Sequence, residues 1–390
     1  MAEFGSRAYG ASGAGDPHSV IVAGEAAIAV TLIEAERNTF LGLDNTISDR
    51  ASHRPAGVRD FSVDSREIRL LPPATTAWVL SDGKIGDEVQ CFGIAEALGL
   101  SPERRLIAPG APWRWLAPHA PISPRDAPAR ATSPISPPFP DIVFAAGRQT
   151  VPYLRRVRRE TLGKTFTIFV KDPYTGPETA DVIWVPEHDP LRSENVIVTP
   201  TPANRIGSAL DELRRVSPDP RIASLPQPRV ALILGGNSGN HRFRRADCAH
   251  LIGIAHMLLR DGYGLMVSPS RRTPPALLSN LIALFAGDPR AFVWDGRGEN
   301  LYPQMLAHAD HIIVTADSVN MLGEAVATGA PVHVYEPGGG HRKINAYIDR
   351  LTTLGAVRRW NGRLESWRYD PIDSTPVIAR EIAKRYLQGS

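Results

Sequence analysis

Two series of short apolar runs fill the chain from about residue 75 onward, most of them closing on a glycine- or aspartate-bearing loop and then opening into a helix-period segment. TAWVL leads into SDGKIGDE and VQCFGIAEALGL, and DIVFAAG, TFTIFVKDP, ADVIWVPEHD and ENVIVTPTP follow. After the proline-rich stretch SPDPRIASLPQP the pattern restarts with RVALILGGNSGN and runs on through GLMVSPSRRTP, AFVWDG, HIIVTADS and PVHVYEP. Strand-length runs without polar alternation are buried on both faces, and strands separated by helices pair in parallel. The expected class is α/β, with two Rossmann-like domains whose parallel sheets face a cleft.

The same punctuation sets the boundaries. Residues 71–215 read as the first domain, 227–368 as the second, and 371–388 as a helix packing back across the interface. Residues 110–140 hold too many prolines for a helix or a central strand and read as a long loop. Residues 1–70 lack sustained periodicity and read as an N-terminal extension, with one local helix or hairpin near 19–36. A length of 390 residues suits two domains, and 43% hydrophobic with 22% charged residues supplies an ordinary globular core.

A net charge of +3 favours anionic small molecules or membrane surfaces and does not demand nucleic acid, so no nucleic-acid partner is expected. Cys91 and Cys248, with no CxxC, make neither a disulfide framework nor a zinc site, which suits a reducing cytoplasm. SVIVAGEAAIAVTLIEAER is interrupted by Glu25 and has no basic flank before it, so it reads as neither a signal peptide nor a span. The expected location is cytoplasmic, peripheral at the inner membrane.

In an open parallel sheet, ligands bind beyond the carboxyl ends of the strands, where helix N-termini present free amides. The distinctive loops lie at such ends. Gly235, Gly236, Asn237 and Ser238 of GGNSG either let a phosphate approach backbone amides or make a tight strand-to-helix turn. In SPSRRTP, Ser270, Arg271 and Arg272 either clamp a diphosphate or form a solvated basic loop. In ADSVNMLGEAVATG, Asp317 or Ser318 caps a helix whose first turn then faces a phosphate. Glu324, among small and apolar neighbours, is placed to accept hydrogen bonds from both hydroxyls of a ribose.

In GGGHRKINAY, Arg342 and Lys343 oppose the dipole of the helix they open, which asks for an anion nearby. SDGKIGDE carries Asp82, Lys84, Asp87 and Glu88, among which a general base is sought. Glu187, His188 and Asp189 of PEHD are too few for a metal site, and no metal is expected. The arginines of YLRRVRRE read as a solvated helix face or as a basic face towards anionic lipid.

Taken in order, WVLSDGKIGDEVQ, AAGRQTVPYLRRVRR, KDP, ADVIWVPEHD, ENVIVTPTPANRI, LGGNSGN, SPSRRTP, HIIVTADSVNMLGEAVATGAPV and GGGHRK resemble the mitochondrial-fission ELM family over roughly residues 75–365. Bacterial members of that family were formerly labelled predicted nucleoside-diphosphate-sugar epimerases. Its most specific stretch, the ADSV segment with EAVATGAPV, is similar to the donor-binding segment of GT-B glycosyltransferases. The resemblance implies a GT-B-like pair of domains with a nucleotide-sugar on the second. It puts Glu324 on the ribose, Ser318 and the glycines near the phosphates, and Arg271 and Arg272 beside the diphosphate. The sequence departs from the family where Gly86 is followed by Asp87 rather than histidine, where Val89 replaces a common amide, and where GGNSGN replaces GGPSKH.

The expected function is a metal-independent glycosyltransferase that moves a sugar from a nucleoside-diphosphate donor, with no separate cofactor, to an envelope lipid or polysaccharide. Asp87 or Asp82 is the expected base if the reaction inverts. Trp113, Arg114 and Trp115 would shape the acceptor side. The alternatives are a nucleotide-sugar epimerase or hydrolase and a non-catalytic membrane-associated adaptor.

Overall fold

Every apolar run named above becomes a strand, and the strands sort into two sheets. In a computed structural model that describes residues 71–389, the first sheet contains β1 (Ala77–Ser81), β2 (Glu103–Leu106), β3 (Ile142–Ala146), β4 (Phe166–Val170), β5 (Val182–Pro186) and β6 (Val196–Thr199). They lie in the order β2-β1-β3-β4-β5-β6 and all neighbours are parallel. The second sheet contains β7 (Arg229–Leu234), β8 (Gly264–Pro269), β9 (Ala291–Val293), β10 (His311–Thr315), β11 (Val332–Tyr335) and β12 (Val357–Arg359). Its order, β12-β11-β10-β7-β8-β9, is that of a doubly wound dinucleotide-type sheet. The extension 1–70, with the helix or hairpin expected near 19–36, lies outside the described residues.

Burial explains the runs. All residues of β1, β3, β5, β7 and β10 are buried, as a sheet covered by helices on both faces requires. The covering helices are α1 (Ile85–Ala97), α2 (Trp113–Leu116), α3 (Val151–Glu160), α4 (Ile206–Arg215), α5 (Pro220–Ala223), α6 (Arg245–Arg260), α7 (Pro275–Phe285), α8 (Tyr302–Ala307), α9 (Val319–Val326), α10 (Arg342–Thr353) and α11 (Thr375–Gly389).

Between residues 110 and 140 only α2 and a short 3-10 turn form, yet the segment is anchored. Ile122 and Ile135 enter the core, and the Tyr153 hydroxyl donates to Asp126 at 2.5 Å. The break expected near 217–228 is no boundary, because Ile206 and Leu210 of α4 join Ile222 and Leu225 in the core of the second domain, so the first domain ends before α4 and not at residue 215.

The chain crosses between domains twice. Past the second sheet, Ser374 and Thr375 bond the first domain at Thr201 and Asn204, and Ile378, Ala379, Ile382 and Ala383 of α11 complete the first domain's core. A second bond set joins α1 to α9 directly. Gln90 Nε2 donates to Asn320 Oδ1 at 2.7 Å, and Asn320 Nδ2 donates to the Gly86 carbonyl at 2.9 Å. The amide that the sequence lacks at Val89 is thus supplied one residue later by Gln90. Asn320→Ala leaves the buried Gln90 amide unpaired, and a loss of about 1–3 kcal/mol in denaturant unfolding is expected. An unchanged midpoint would show the clamp to be idle.

Candidate functional site

Each sheet reverses its winding direction once, between β1 and β3 in the first and between β7 and β10 in the second. Such switch points open the crevices in which this architecture binds ligands. Both are filled here in the same way, by an aspartate after one central strand lying against a glycine after the other.

In the second domain the aspartate is Asp317, just past β10. Its buried carboxylate accepts from the Thr315 hydroxyl at 2.7 Å, the Gly236 amide at 3.0 Å and Arg272 at 2.8 Å. A Cβ on Gly235 would fall 1.9 Å from Asp317 Oδ1, and one on Gly236 would fall 1.7 Å from the Arg272 carbonyl. Close approach of the neighbouring loops is therefore what demands the two glycines.

The expectation that GGNS cradles a phosphate on its amides is corrected by the same geometry. The four amides of Gly235, Gly236, Asn237 and Ser238 already donate to Thr315, Asp317, Arg272 and His241. The Asn237 side chain accepts from the Phe243 amide, and the Ser238 hydroxyl accepts from the amides of Asn240 and His241. These residues shape a longer loop that ends well before α6.

Asp317 likewise is a support and not a ligand group, because its carboxylate is fully enclosed and committed. Ser318 is the residue that caps α9, its hydroxyl accepting from the Met321 amide. Ser270 turns its own loop by accepting from the Arg272 amide, and Arg272 is held by Asp317. Arg271 makes no hydrogen bond or ion pair among the described residues, and its charge is felt across the seam at Glu88. Burial draws the Glu88 carboxyl up, but hydrogen bonds from Arg104 and Ser81, with the charges of Arg104 and Arg271, hold it below the ordinary carboxylate range.

Arg271 stands at the mouth of a cleft of about 490 Å³ beside the carboxyl ends of β7, β8 and β9. Trp294, Asn300, Tyr302, Met321 and Glu324 also line it. Glu324 is buried on α9, and the Tyr302 hydroxyl donates to its Oε2 at 2.6 Å. Burial pushes the Glu324 carboxyl up to about 7, against the pull of that hydrogen bond, and burial beside the carboxylate drives the Tyr302 hydroxyl well above its ordinary value. Sequence reasoning missed Tyr302 and Trp294. Only their aromatic character beside a strand end and a helix start was readable, and twenty-two residues separate Tyr302 from Glu324.

In the first domain Asp82 lies against Gly147, where φ is +87° and an added Cβ would meet Asp82 Oδ2 at 2.6 Å. It also pairs with Lys84 at 2.7 Å with only 1% of its side chain exposed. That enclosure removes Asp82 as a base. Asp87 stands nearer the seam but pairs with Lys171. The anion that Lys343 asked for is Asp189, 2.5 Å away in the other domain, and Glu187 receives Arg350 at 2.6 Å. On α3, Arg155, Arg156 and Arg158 bond Thr175, Glu160 and Asp181, so this face is largely tied into its own domain. The described residues gather no three histidine, cysteine or acidic side chains as a metal ion needs, and no described helix is long and apolar enough to cross a membrane.

Two doubly wound parallel sheets, clamped across a seam with an acid-lined cleft in the second, define a GT-B-like α/β protein. The chain belongs to the mitochondrial fission ELM1 family, whose profile matches residues 85–386. It is 30% identical over 281 residues to the mitochondrial fission protein ELM1 of Arabidopsis thaliana, covering 63% of this chain and 65% of that one. It is 31% identical over 170 residues to the protein RP120 of Rickettsia prowazekii (strain Madrid E), covering 41% and 47%. The chain thus spans less than two thirds of the length of these curated relatives. Among solved structures it is similar to the UDP-GlcNAc 2-epimerase of Methanocaldococcus jannaschii, at 12% identity and a TM-score of 0.49 over 81% of this chain and 99% of that one. It is also similar to Acinetobacter baumannii MurG, at 14% identity and a TM-score of 0.42 over 80% and 92%.

Proposed function

We propose that the chain binds a nucleoside-diphosphate sugar in the Glu324 cleft and transfers the sugar to a hydroxyl of an envelope lipid or polysaccharide. The observation that carries this reading is the presence of a buried, hydroxyl-bonded carboxylate and an uncommitted guanidinium in the lining of one cleft. A carboxylate already accepting from the Tyr302 hydroxyl suits a sugar's hydroxyls, and Arg271 suits a diphosphate and its charge on leaving. Trp294 gives the cleft an aromatic wall for a base. The cap of α9 at Ser318 adds a helix N-terminus on the same side. The first domain, facing across the seam, supplies the acceptor wall, with Trp115 63% exposed on α2.

Thermal unfolding in the presence of UDP-, GDP-, ADP- and CMP-sugars tests this. One of the four is expected to raise the midpoint, and a ligand at 100 times its Kd adds about 2.7 kcal/mol. Glu324→Ala is expected to remove most of that rise. If none of the four stabilises the chain, the donor site is refuted, and a non-catalytic adaptor becomes the better account. Donor consumed without an added membrane extract would favour an epimerase or hydrolase.

A further inference from the structure

We propose that His188 is the catalytic base of this reaction, taking the proton of the acceptor hydroxyl in the seam between the domains; the proposal rests on the donor reading of the Glu324 cleft. His188 follows β5 on the carboxyl edge of the first sheet, the edge that faces the second domain. It is half-buried, and its ring lies edge-on to that of Tyr347 on α10, with centroids 5.7 Å apart and planes at 61°. The flanking carboxylates are both pinned by second-domain cations, Glu187 by Arg350 and Asp189 by Lys343. His188 thus stands between two ion pairs that cross the seam, with its ring against Tyr347.

Commitment of the neighbours singles it out. Asp87 is paired with Lys171, Asp189 with Lys343 and Glu187 with Arg350, whereas the ring nitrogens of His188 accept or donate no hydrogen bond among the described residues. A base needs a free lone pair, and in this part of the seam His188 has one. Burial, with Lys343 and Lys171 beside it, lowers its pKa against the pull of Asp189 and Glu187, which leaves the ring neutral near pH 7.

The adjoining loop is strained in the way functional loops are. Lys171 at φ 78° and Tyr174 at φ 58° are two non-glycine residues in the left-handed region within four positions. Asp172 and Tyr174 of that loop also act electrostatically on Lys343. It joins Asp87 to the ground around His188.

The acceptor oxygen forms its bond to the anomeric carbon while its proton passes to the unprotonated ring nitrogen of His188. The bond from that carbon to the diphosphate breaks, and its electron pair leaves on the nucleoside diphosphate beside Arg271. The imidazolium so formed stands next to Asp189 and Glu187, which favour its charge, and the anomeric centre inverts.

The test uses the full chain with histidine-labelled side chains and the same panel of UDP-, GDP-, ADP- and CMP-sugars. The His188 resonance, assigned with H188N, is expected to titrate below the ordinary histidine range. It should move with the sugar nucleotide that stabilises the chain and much less with the matching nucleoside diphosphate. H188N and H188Q are expected to release nucleoside diphosphate about 100-fold more slowly in the presence of a membrane-extract acceptor. Both should keep the full thermal stabilisation by the sugar nucleotide. Retained turnover in either variant, or a resonance indifferent to the donor, would overturn the role of His188 while leaving the donor site standing. Absence of any stabilisation overturns both readings, and is a different result.

Discussion

Replacing Gly236 by alanine is expected to destabilise the protein by about 3 kcal/mol or more, the larger end of overpacking effects. The added methyl would lie 1.7 Å from the Arg272 carbonyl oxygen, 2.0 Å from its carbon and 2.5 Å from the Thr273 nitrogen. All three are backbone atoms and none can rotate away. Relief requires the 270–273 loop or the strand end to move, which also disturbs the Gly236 amide on Asp317 and the Asn237 amide on Arg272. Chemical denaturation of the variant measures the loss. Gly253→Ala on α6, where an added Cβ meets nothing within 4 Å, is the matched control and is expected to be neutral or slightly stabilising. Equal behaviour of the two variants would mean that the loops yield, and that Gly236 has some other reason to be there.

The second large effect is a pH dependence centred on Glu324. Its folded-state pKa of about 7 lies above the ordinary carboxyl value of 4.5, so between these values the folded chain holds a proton that the unfolded chain has released. The stability this contributes is fully present below about 4.5 and is lost as pH rises through about 7. A shift of that size corresponds to about 3 kcal/mol. Glu324→Gln keeps the shape and an oxygen for the Tyr302 hydroxyl but cannot ionise. The variant is expected to match the wild type near pH 4 and to exceed it by about 3 kcal/mol at pH 8. The difference between the two stability-pH curves is the measurement, because other titrating groups cancel in it. Parallel curves would mean that the carboxylate is ionised throughout.

The strands were legible because a sheet buried on both faces leaves unbroken apolar runs, and TAWVL, DIVFAAG, RVALIL and HIIVT are such runs. The glycine loops were legible as loops, but their purpose was not. GGNS looks the same whether its amides face a phosphate or the Thr315 hydroxyl, and the choice depends on Asp317, which arrives from 81 residues away in sequence. Glu324 was located from its apolar neighbours in the helix, which is a local signal. Tyr302 was not, since its bond to Glu324 is made by the packing of α8 on α9. The seam was the least legible part. Lys343 asked for an anion at the start of its helix, but only the juxtaposition of the two domains shows that Asp189 supplies it.

The return of α11 has a consequence for synthesis. The first sheet and most of its helices leave the ribosome well before Ile378, Ala379, Ile382 and Ala383, which fill that domain's core. Between those events the entire second domain is made. A nascent first domain therefore waits with an uncovered apolar face on α1 and β6, a surface that invites a chaperone or a second nascent chain. The order of assembly runs opposite to the order of the chain: the second domain can close on its own sheet first, and the first domain is finished last.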